Sequence, residues 1–342
     1  MKLYSLLVMA AALCIIAVAT CLTSAAQEVP TPSRPAGDRS SADLVSELLA
    51  MPTDGQVNAL DLRRYMDRRA AILREIAARG DAVALLVSKL LTELPDMGHR
   101  AQLYRDIDAV GDPAIAAILK ARPGAVFQFQ KHQLATALAT IKTPASTKAL
   151  LALLPDSDDE FRTAAIEGLT VGIIRHVSDS DSDQVFSALI RQAPLEKIEG
   201  SRSRICMVML YLAGKVAPGA RKTDPLAVSA VDMLQGRLKN DESSQVRFEA
   251  ACALAEFYDF SGKEELKKAI PAMHSLAGPA LGRAVSAIEK ISGKTFGPVP
   301  LDPILASDTR AIPALRDQRQ ALLDKLAEWA REDTATSATD GK

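Results

Sequence analysis

The sequence predicts an all-α protein in which consecutive helix pairs stack into a right-handed α-solenoid. The first observation is a repeat interval of 31 residues, which relates Asp81 to Asp112 and then to Thr143. An interval of this length is typical of stacked helical units. The second is composition: 48% of the residues are hydrophobic but only 4% are aromatic, and the abundant Ala and Leu favour closely packed helices. The third is a recurring helix start, a capping residue followed by proline.

The clearest unit covers residues 143–172. Thr143 is predicted to cap the first helix of this unit, because its hydroxyl can accept hydrogen bonds from N–H groups of the first turn. Pro144 is favoured at the first helical position, because it has no N–H group that would need an acceptor. A turn follows, and the pattern Ser157–Glu160 predicts a capping box, with Ser157 as cap of the second helix. Helical spacing then places three small or apolar residues on one face: Ala165, Leu169 and Gly172.

Other units follow the same pattern at less regular intervals. Their predicted starts are Asp81, Asp112, Asp181, Asp224 and, with a second capping box, Ser261. The extra length falls in three predicted turns, Arg175–Ser182, Glu196–Ser203 and Pro218–Thr223. Insertions in a solenoid map to loops, where binding sites are frequent. The sequence therefore predicts about six helix pairs, spanning residues 80–292.

The segment Leu154–Leu169 resembles the HEAT-repeat superfamily, in particular its short-unit bacterial members. In that family an acidic turn precedes a helix of the form Arg-x-Ala-Ala-x-x-x-Leu, which begins here at Arg162. The resemblance extends over residues 81–291 and departs from the pattern at Leu281, where the last unit lacks the basic residue. It implies an α-solenoid of HEAT or armadillo type that works as a scaffold, without implying a particular chemistry.

The ends of such an array need caps. We predict an N-terminal helical cap at residues 43–79, and an irregular segment with a closing amphipathic helix at residues 293–332. Residues 333–342, which consist largely of Thr, Ala, Ser and Gly, are predicted to be a disordered tail.

Residues 1–26 have the order of an export signal: a positive start, a long apolar stretch, and small residues before Gln27. Two alternatives to simple cleavage remain open, a lipoprotein in which Cys21 carries the lipid and an uncleaved membrane anchor. All three place the folded body in the periplasm or cell envelope, with membrane contact only through this segment. Residues 27–42, rich in Pro, Ser and charge, are predicted to be a flexible linker.

A basic residue recurs near the start of the second helix of most units. The members are Arg100, Lys131, Arg162, Arg204 and Arg247. Such a ladder can follow a phosphate backbone, but the net charge is −1 and Asp156, Asp158 and Asp241 lie beside the turns. We therefore interpret it as a structural ladder that ties unit to unit, and we expect no nucleic-acid partner.

No other pattern indicates a specific chemistry, so no catalytic, cofactor-binding or metal-binding residue is predicted. The four histidines lie outside metal-binding spacings. Asp179–Asp183 alternates carboxylates like a calcium loop but lacks the required glycine and glutamate, which favours a solvated loop and helix cap. Cys206 and Cys252 are interpreted as buried thiols, with a disulfide bridge as the open alternative.

The predicted function is a non-catalytic exported scaffold or adaptor that binds a protein partner along its solenoid surface. One alternative is an enzyme or ligand-binding protein with a site in the solenoid groove, similar to the HEAT-like chromophore lyases. A further alternative is a nucleic-acid-binding HEAT-like protein. A scaffold is expected to expose an apolar or aromatic patch, whereas an enzyme is expected to hold several perturbed titratable groups in a deep polar pocket.

Overall fold

The computed structural model of the chain is all-helical in the part that it describes. The described residues are 39–53, 57, 61–92, 97–174, 179–276, 278–300 and 312–339. The predicted export segment, its candidate lipidation residue Cys21 and residues 27–38 of the predicted linker lie outside them. None of the described helices is both long and apolar enough to span a membrane.

The chain divides into two compact units, residues 1–181 (unit 1) and residues 182–342 (unit 2). The helices of unit 1 are α1 (Ser41–Ala50), α2 (Leu62–Ala77), α3 (Gly80–Ser88), α4 (Met97–Val110), α5 (Asp112–Ala121), α6 (Gln128–Ile141), α7 (Pro144–Leu153) and α8 (Asp159–Ile174). Helix α9 (Asp179–Gln192) spans the division. The helices of unit 2 are α10 (Glu199–Lys215), α11 (Pro225–Asn240), α12 (Ser244–Glu256), α13 (Lys263–Ala269), α14 (Gly278–Ser292) and α15 (Ile312–Thr339). Short 3-10 turns follow α3, α5, α9, α10 and α13.

Unit 1 has the two-layer packing of an α-solenoid. Helices α1, α3, α5 and α7 pack in succession as one layer, and α2, α4, α6 and α8 pack in succession as the other. Leu138 on α6 and Leu169 on α8 are both buried, on neighbouring helices of the second layer. The 31-residue interval therefore does what the sequence predicts: equivalent residues of consecutive pairs meet in one continuous core.

Close approach of α6 to α8 depends on a glycine. A Cβ atom added to Gly168 would lie 2.9 Å from the Cβ of Ala139 and 3.2 Å from a methyl carbon of Leu150. Real Cβ atoms do not approach so closely, because packed interiors contain few voids that could absorb the extra atom. Small residues at these two positions therefore set the distance between the helices.

The predicted helix starts agree with the structure for Thr143 and Asp224. The Thr143 side chain accepts from the Ser146 N–H in a capping box, and Asp224 accepts from two first-turn N–H groups. The Thr143 hydroxyl also donates to Asp112 at 2.6 Å. Asp112 lies inside the first turn of α5, whose cap is Gly111, so it ties α5 to α7 and is not a cap.

Both sequence-predicted capping boxes at the other turns are corrected. At α8 the cap is Asp158, whose carboxylate accepts from the N–H groups of Glu160 and Phe161, and not Ser157. At α13 the cap is Gly262, with no side-chain cap hydrogen bond. An added Cβ on Gly262 would lie 2.6 Å from the Cβ of Ala251. Only glycine fits between this turn and α12, so packing decides the cap.

In unit 2, α10, α12 and α14 pack in succession, and α11 and α13 both pack on α12. The closing helix α15 adds Leu322, Leu326 and Trp329 to a core shared with α12, α13 and α14. Helix α15 continues to Thr339, so the predicted disordered tail from residue 333 is wrong over its first seven residues. The helix extends into this segment because adding residues to an existing helix avoids the cost of helix nucleation. No glycine interrupts the segment before Gly341.

Candidate functional site

Two of the predicted ladder residues of unit 1 bind turns of the repeat. Lys131 on α6 forms an ion pair with Asp158, the cap of α8. Arg162 on α8 donates from Nη1 to the main-chain oxygen of Asp156 at 2.8 Å and pairs with Asp159. Burial opposes ionisation of Asp158, but the hydrogen bond from Lys131 and two N–H groups outweigh it, and the pKa of Asp158 lies below its ordinary value.

Arg247 on α12 makes the equivalent contacts in unit 2. Its Nη1 donates to the main-chain oxygen of Asp241 at 2.9 Å, and its Nε donates to Glu265 at 2.9 Å. Arg162 and Arg247 thus both bind a carbonyl six residues earlier in the chain. The Nε atom of Arg100 is buried and has no hydrogen-bond partner among the described residues.

The register predicted for α10 is wrong by two residues. The arginine that pairs with Asp241 is Arg202, not Arg204. Tyr211, which lies seven residues after Arg204 and therefore on the same helix face, is 41% exposed. The inserted turn before α10 shifts the buried stripe, which includes Arg202 and lies at helical spacing. Its apolar members are Ile205, Cys206, Met209 and Leu212.

Buried ion pairs between helices were not predicted from the sequence. Arg69 on α2 binds Asp106 on α4 through Nε at 2.8 Å and Nη2 at 2.5 Å. In unit 2, Arg283 on α14 donates to buried Glu249 on α12 at 2.8 Å. A second pair on the same two helices, Lys290 with Glu256, lies seven residues further along each. The sequence does contain a signal for these pairs, because the two cations on α14 and the two carboxylates on α12 have the same seven-residue spacing.

The other candidate residues do not form a metal site within the described part of the chain, where no group of three or more potential ligands converges. His99, His132 and His274 lie on separate elements, and His176 is outside the described residues. The predicted loop Asp179–Asp183 is the helical start of α9.

Cys206 and Cys252 are free and buried, as the preferred interpretation predicted. Burial raises the pKa of the Cys206 thiol to about 12, and burial likewise raises the pKa of Cys252 well above its ordinary value. Both thiols are therefore protonated and unreactive in the folded state.

The most distinctive surface feature is a groove in unit 2 with a volume of about 420 Å³, which we call the aromatic groove. One wall is α11, and the others are the inserted loop before α11 and the turn after α12. The lining residues are Arg221, Lys222, Val228, Val231, Asp232, Phe257, Tyr258, Asp259 and Phe260. The inserted loop was one of the three turns in which the sequence predicts binding.

Arg221 fixes the loop wall of the aromatic groove. Its guanidinium donates to the main-chain oxygens of Ala213 at 2.8 Å, Val216 at 3.3 Å and Glu256 at 2.6 Å. These oxygens lie at the C-terminal ends of α10 and α12, where helix dipoles favour a cation. The same guanidinium lies 5.0 Å from the centroid of the Tyr258 ring. The loop is therefore held by its own arginine in a defined position.

Tyr258 has a backbone conformation that favours glycine. Its φ is 61°, its N–H donates to Ala255, and the N–H of Asp259 donates to Leu254. These two bonds are those of a Schellman motif, in which the left-handed residue is usually glycine. Tyr258 is nevertheless 57% exposed, with Phe260 42% exposed beside it. A large aromatic residue is thus held in a disfavoured conformation at the groove surface.

Two carboxylates line the groove. Asp259 accepts from the Gln235 amide at 2.6 Å and from the Ser261 N–H at 2.9 Å. Burial opposes its ionisation, but the hydrogen bonds from Ser261 and Gln235 outweigh burial and keep the pKa of Asp259 below its ordinary value. Asp232 on α11 is exposed and has no side-chain partner among the described residues. Asp259 is therefore a fixed negative charge near neutral pH, and Asp232 is unpaired beside it.

Sequence reasoning did not identify the aromatic groove. A signal was present, since in a chain with 4% aromatic residues three of them fall between positions 257 and 260. Helical spacing from Arg247, however, places Phe257 on the buried face of α12, and nothing in the spacing indicates that Tyr258 meets Arg221.

Unit 1 exposes a second aromatic surface before α6. The rings of Phe127 and Phe129 stack with centroids 5.9 Å apart, and Val126 beside them is 73% exposed. The amide oxygen of Gln130 accepts from the N–H groups of Val126 and Phe127, which fixes the turn. This patch is the comparison surface for the aromatic groove, because it exposes phenylalanine rings on the other unit.

Comparison with known proteins gives no family. No protein-family model and no curated protein matches the chain. Similar solved structures include two engineered proteins of the Northeast Structural Genomics Consortium. The first is 19% identical with a TM-score of 0.36, and the match covers 62% of this chain and 99% of the engineered chain. The second is 17% identical with a TM-score of 0.39, and the match covers 74% of this chain and 96% of the engineered chain. The complex of CpcE and CpcF of phycocyanin lyase from Nostoc sp. is 14% identical with a TM-score of 0.28, over 86% and 100%. Similarities this weak carry no functional argument, and the fold assignment rests on the helix packing described above.

Proposed function

We propose that the chain is an exported, non-catalytic scaffold of HEAT type that binds a protein partner in the aromatic groove. The observation that carries the proposal is the left-handed backbone conformation of Tyr258, a residue whose side chain is exposed in the groove. A left-handed conformation costs a non-glycine residue about 1–2 kcal/mol, and backbone strain of this kind clusters at functional sites. An exposed tyrosine in this conformation gains little for folding, so binding is the better explanation for its presence.

The chemistry of the groove also favours binding over catalysis. Exposed tyrosine and phenylalanine rings beside aliphatic residues are typical of interface cores. Asp259, with its pKa below the ordinary value, is a poor proton donor or acceptor near neutral pH, where a general acid or base needs a pKa near the working pH.

Affinity capture from the envelope fraction of the source cells tests this proposal. We expect a partner protein that is retained by the wild-type chain and by Phe129→Ser, the unit 1 comparison variant, but lost by Phe260→Ser. Both substitutions replace an exposed phenylalanine of similar accessibility, 42% in each case. Equal retention by all three proteins would exclude the groove as the binding site, and no retained protein would contradict the scaffold.

The export part of the proposal has a separate test. The mass of the N-terminal peptide from cells distinguishes cleavage before Gln27, lipidation at Cys21 and an uncleaved segment. A chain that keeps Met1 and is recovered from the cytosol would contradict export in any of the three forms.

A further inference from the structure

We infer that the aromatic groove binds an extended basic segment of the partner, in which an arginine is flanked by aliphatic residues or proline. This inference deepens the proposed function and rests on it. It is carried by three features of the groove: its dimensions, the charges that remain unbalanced in it, and the exposed aromatic rings.

The dimensions favour an extended segment. Two turns of an α-helix, about 11 Å long and about 10–12 Å across with the side chains, occupy roughly 1,000 Å³, which is more than twice the groove volume of about 420 Å³. Val228 and Val231 present aliphatic surface from one face of α11, since residues three apart are neighbours on a helix. The groove therefore accommodates a few side chains of an extended peptide, with an aliphatic residue or proline against the two valines.

The charges favour a basic segment. Arg221 and Lys222 are the cations of the groove, and Asp232 and Asp259 are its anions. Arg221 is already bound to three main-chain oxygens at the ends of two helices, so its charge is largely compensated. Lys222 is exposed and belongs to the loop. Asp259 is bound only by the neutral Gln235 amide and by Ser261, which leaves its negative charge in place. The two carboxylates therefore exceed the single uncompensated lysine, and an arriving cation is favoured.

The aromatic rings select arginine among cations. A guanidinium stacks well on an aromatic face, and such contacts favour arginine over lysine. Arg221 already shows this geometry on Tyr258, at 5.0 Å from the ring centroid. Phe260 offers a second exposed ring next to Asp259. An arginine that stacks there can donate to a carboxylate with the same planar group.

A phage-displayed library of random seven-residue peptides tests the inference on the full-length chain. We expect wild-type selections to enrich peptides with an arginine next to an aliphatic residue or proline. Selection on Tyr258→Gly should lose this enrichment, although this substitution places the favoured residue in the Schellman motif and leaves the fold intact. Enriched peptides without a basic residue, the same enrichment with Tyr258→Gly, or no enrichment at all would each overturn the inference.

A synthetic peptide from the enriched set then measures the charge dependence by fluorescence polarisation. We expect Asp232→Lys to weaken binding roughly tenfold, since it replaces an attraction by a repulsion, and Lys222→Glu to strengthen it. Binding should also weaken as salt is raised, because exposed charges are screened. Unchanged affinity in Asp232→Lys overturns the charge argument.

These outcomes are distinguishable from failure of the proposed function. If the captured partner is lost with Phe260→Ser but selected peptides are acidic or uncharged, the groove is a protein-binding site and only the basic ligand is wrong. If no partner depends on Phe260, both proposals fail together.

Discussion

Arg202 and Asp241 form a buried bidentate ion pair that joins α10 to the turn before α12. The Nε atom donates to Oδ2 at 2.8 Å and Nη2 donates to Oδ1 at 3.0 Å. The same carboxylate accepts from Arg237 at 3.0 Å and from the Ser243 N–H at 3.0 Å. One aspartate thus connects three helices of unit 2, and its side chain is only 1% exposed.

Replacing Asp241 by alanine should lower the free energy of unfolding by about 3–5 kcal/mol, because a buried arginine is then left without its partner. Denaturant unfolding measures the change. Glu242→Ala is the matched control, since its carboxylate is 91% exposed and lies 3.7 Å from the same arginine. The control should change stability by less than about 0.5 kcal/mol, and a comparable loss in both variants would show that the buried pair is not responsible.

The same aspartate should contribute to acid sensitivity. Burial opposes its ionisation, but hydrogen bonds from Arg202 and Ser243 and the charges of Arg202 and Arg237 outweigh burial, so its pKa is lowered in the folded state. Its stabilisation is therefore fully present above the ordinary aspartate pKa of about 3.9 and is lost as the pH falls toward the folded-state value. Asp241→Asn should make the free energy of unfolding less dependent on pH below about pH 4. An unchanged slope between wild type and variant would contradict this assignment.

Gly168→Ala should destabilise unit 1 even though alanine is the better helix former. The added methyl would meet the Ala139 Cβ at 2.9 Å, and overpacking of a core costs about 1–3 kcal/mol. Gly236→Ala on α11 is the control, because nothing lies within 4 Å of the added Cβ and the substitution should stabilise by about 0.5–1 kcal/mol. Opposite shifts in Tm are expected, and stabilisation by both substitutions would mean that α6 and α8 are further apart.

Lys142→Gly should stabilise the protein. Lys142 ends α6 with a φ of 53° and a ψ of 32°, a left-handed conformation that glycine adopts without the steric cost. Lys142→Ala removes the same side chain and its exposed ion pair at 3.7 Å to Asp108, but it keeps the Cβ. We expect Tm to rise for glycine and not for alanine. A rise in both would assign the effect to the lysine charge.

Cys206 and Cys252 should resist alkylation in the folded protein. Both are fully buried and both have a raised pKa, so the reactive thiolate is scarce at pH 8. Peptide mass spectrometry after iodoacetamide treatment should find them unmodified without denaturant and modified in it. Rapid labelling of either thiol under native conditions would show that α10 or α12 opens locally.

The sequence allowed the helix pairs and their stacking to be predicted, because apolar periodicity and proline-marked helix starts are local signals. Thr143 and Asp224 cap as expected for this reason. Predictions failed where packing between distant residues decides the outcome. Gly262 is the cap of α13 because Ala251 leaves no room, and Arg202 replaces Arg204 because an inserted turn shifts the register of α10.

The aromatic groove was beyond sequence reasoning for the same physical reason. It depends on the left-handed conformation of Tyr258, which no residue type signals, and on Arg221, which reaches the ends of two helices at once. The sequence did indicate the loop wall, through the extra length at Pro218–Thr223. It gave no means of pairing that loop with the turn after α12.

The salt links between helices also limit how such a chain can change in length. Buried Arg69 on α2 has its carboxylate partner, Asp106, on α4, and buried Glu249 on α12 has its cationic partner, Arg283, on α14. Deleting the repeat that carries one residue of such an ion pair would leave the other charge buried without a partner. The resulting loss in the free energy of unfolding would be comparable to the whole stability of a small domain. Gain or loss of whole repeats during evolution is therefore confined to junctions that carry no such link, and shuffled copies of these units would not be interchangeable.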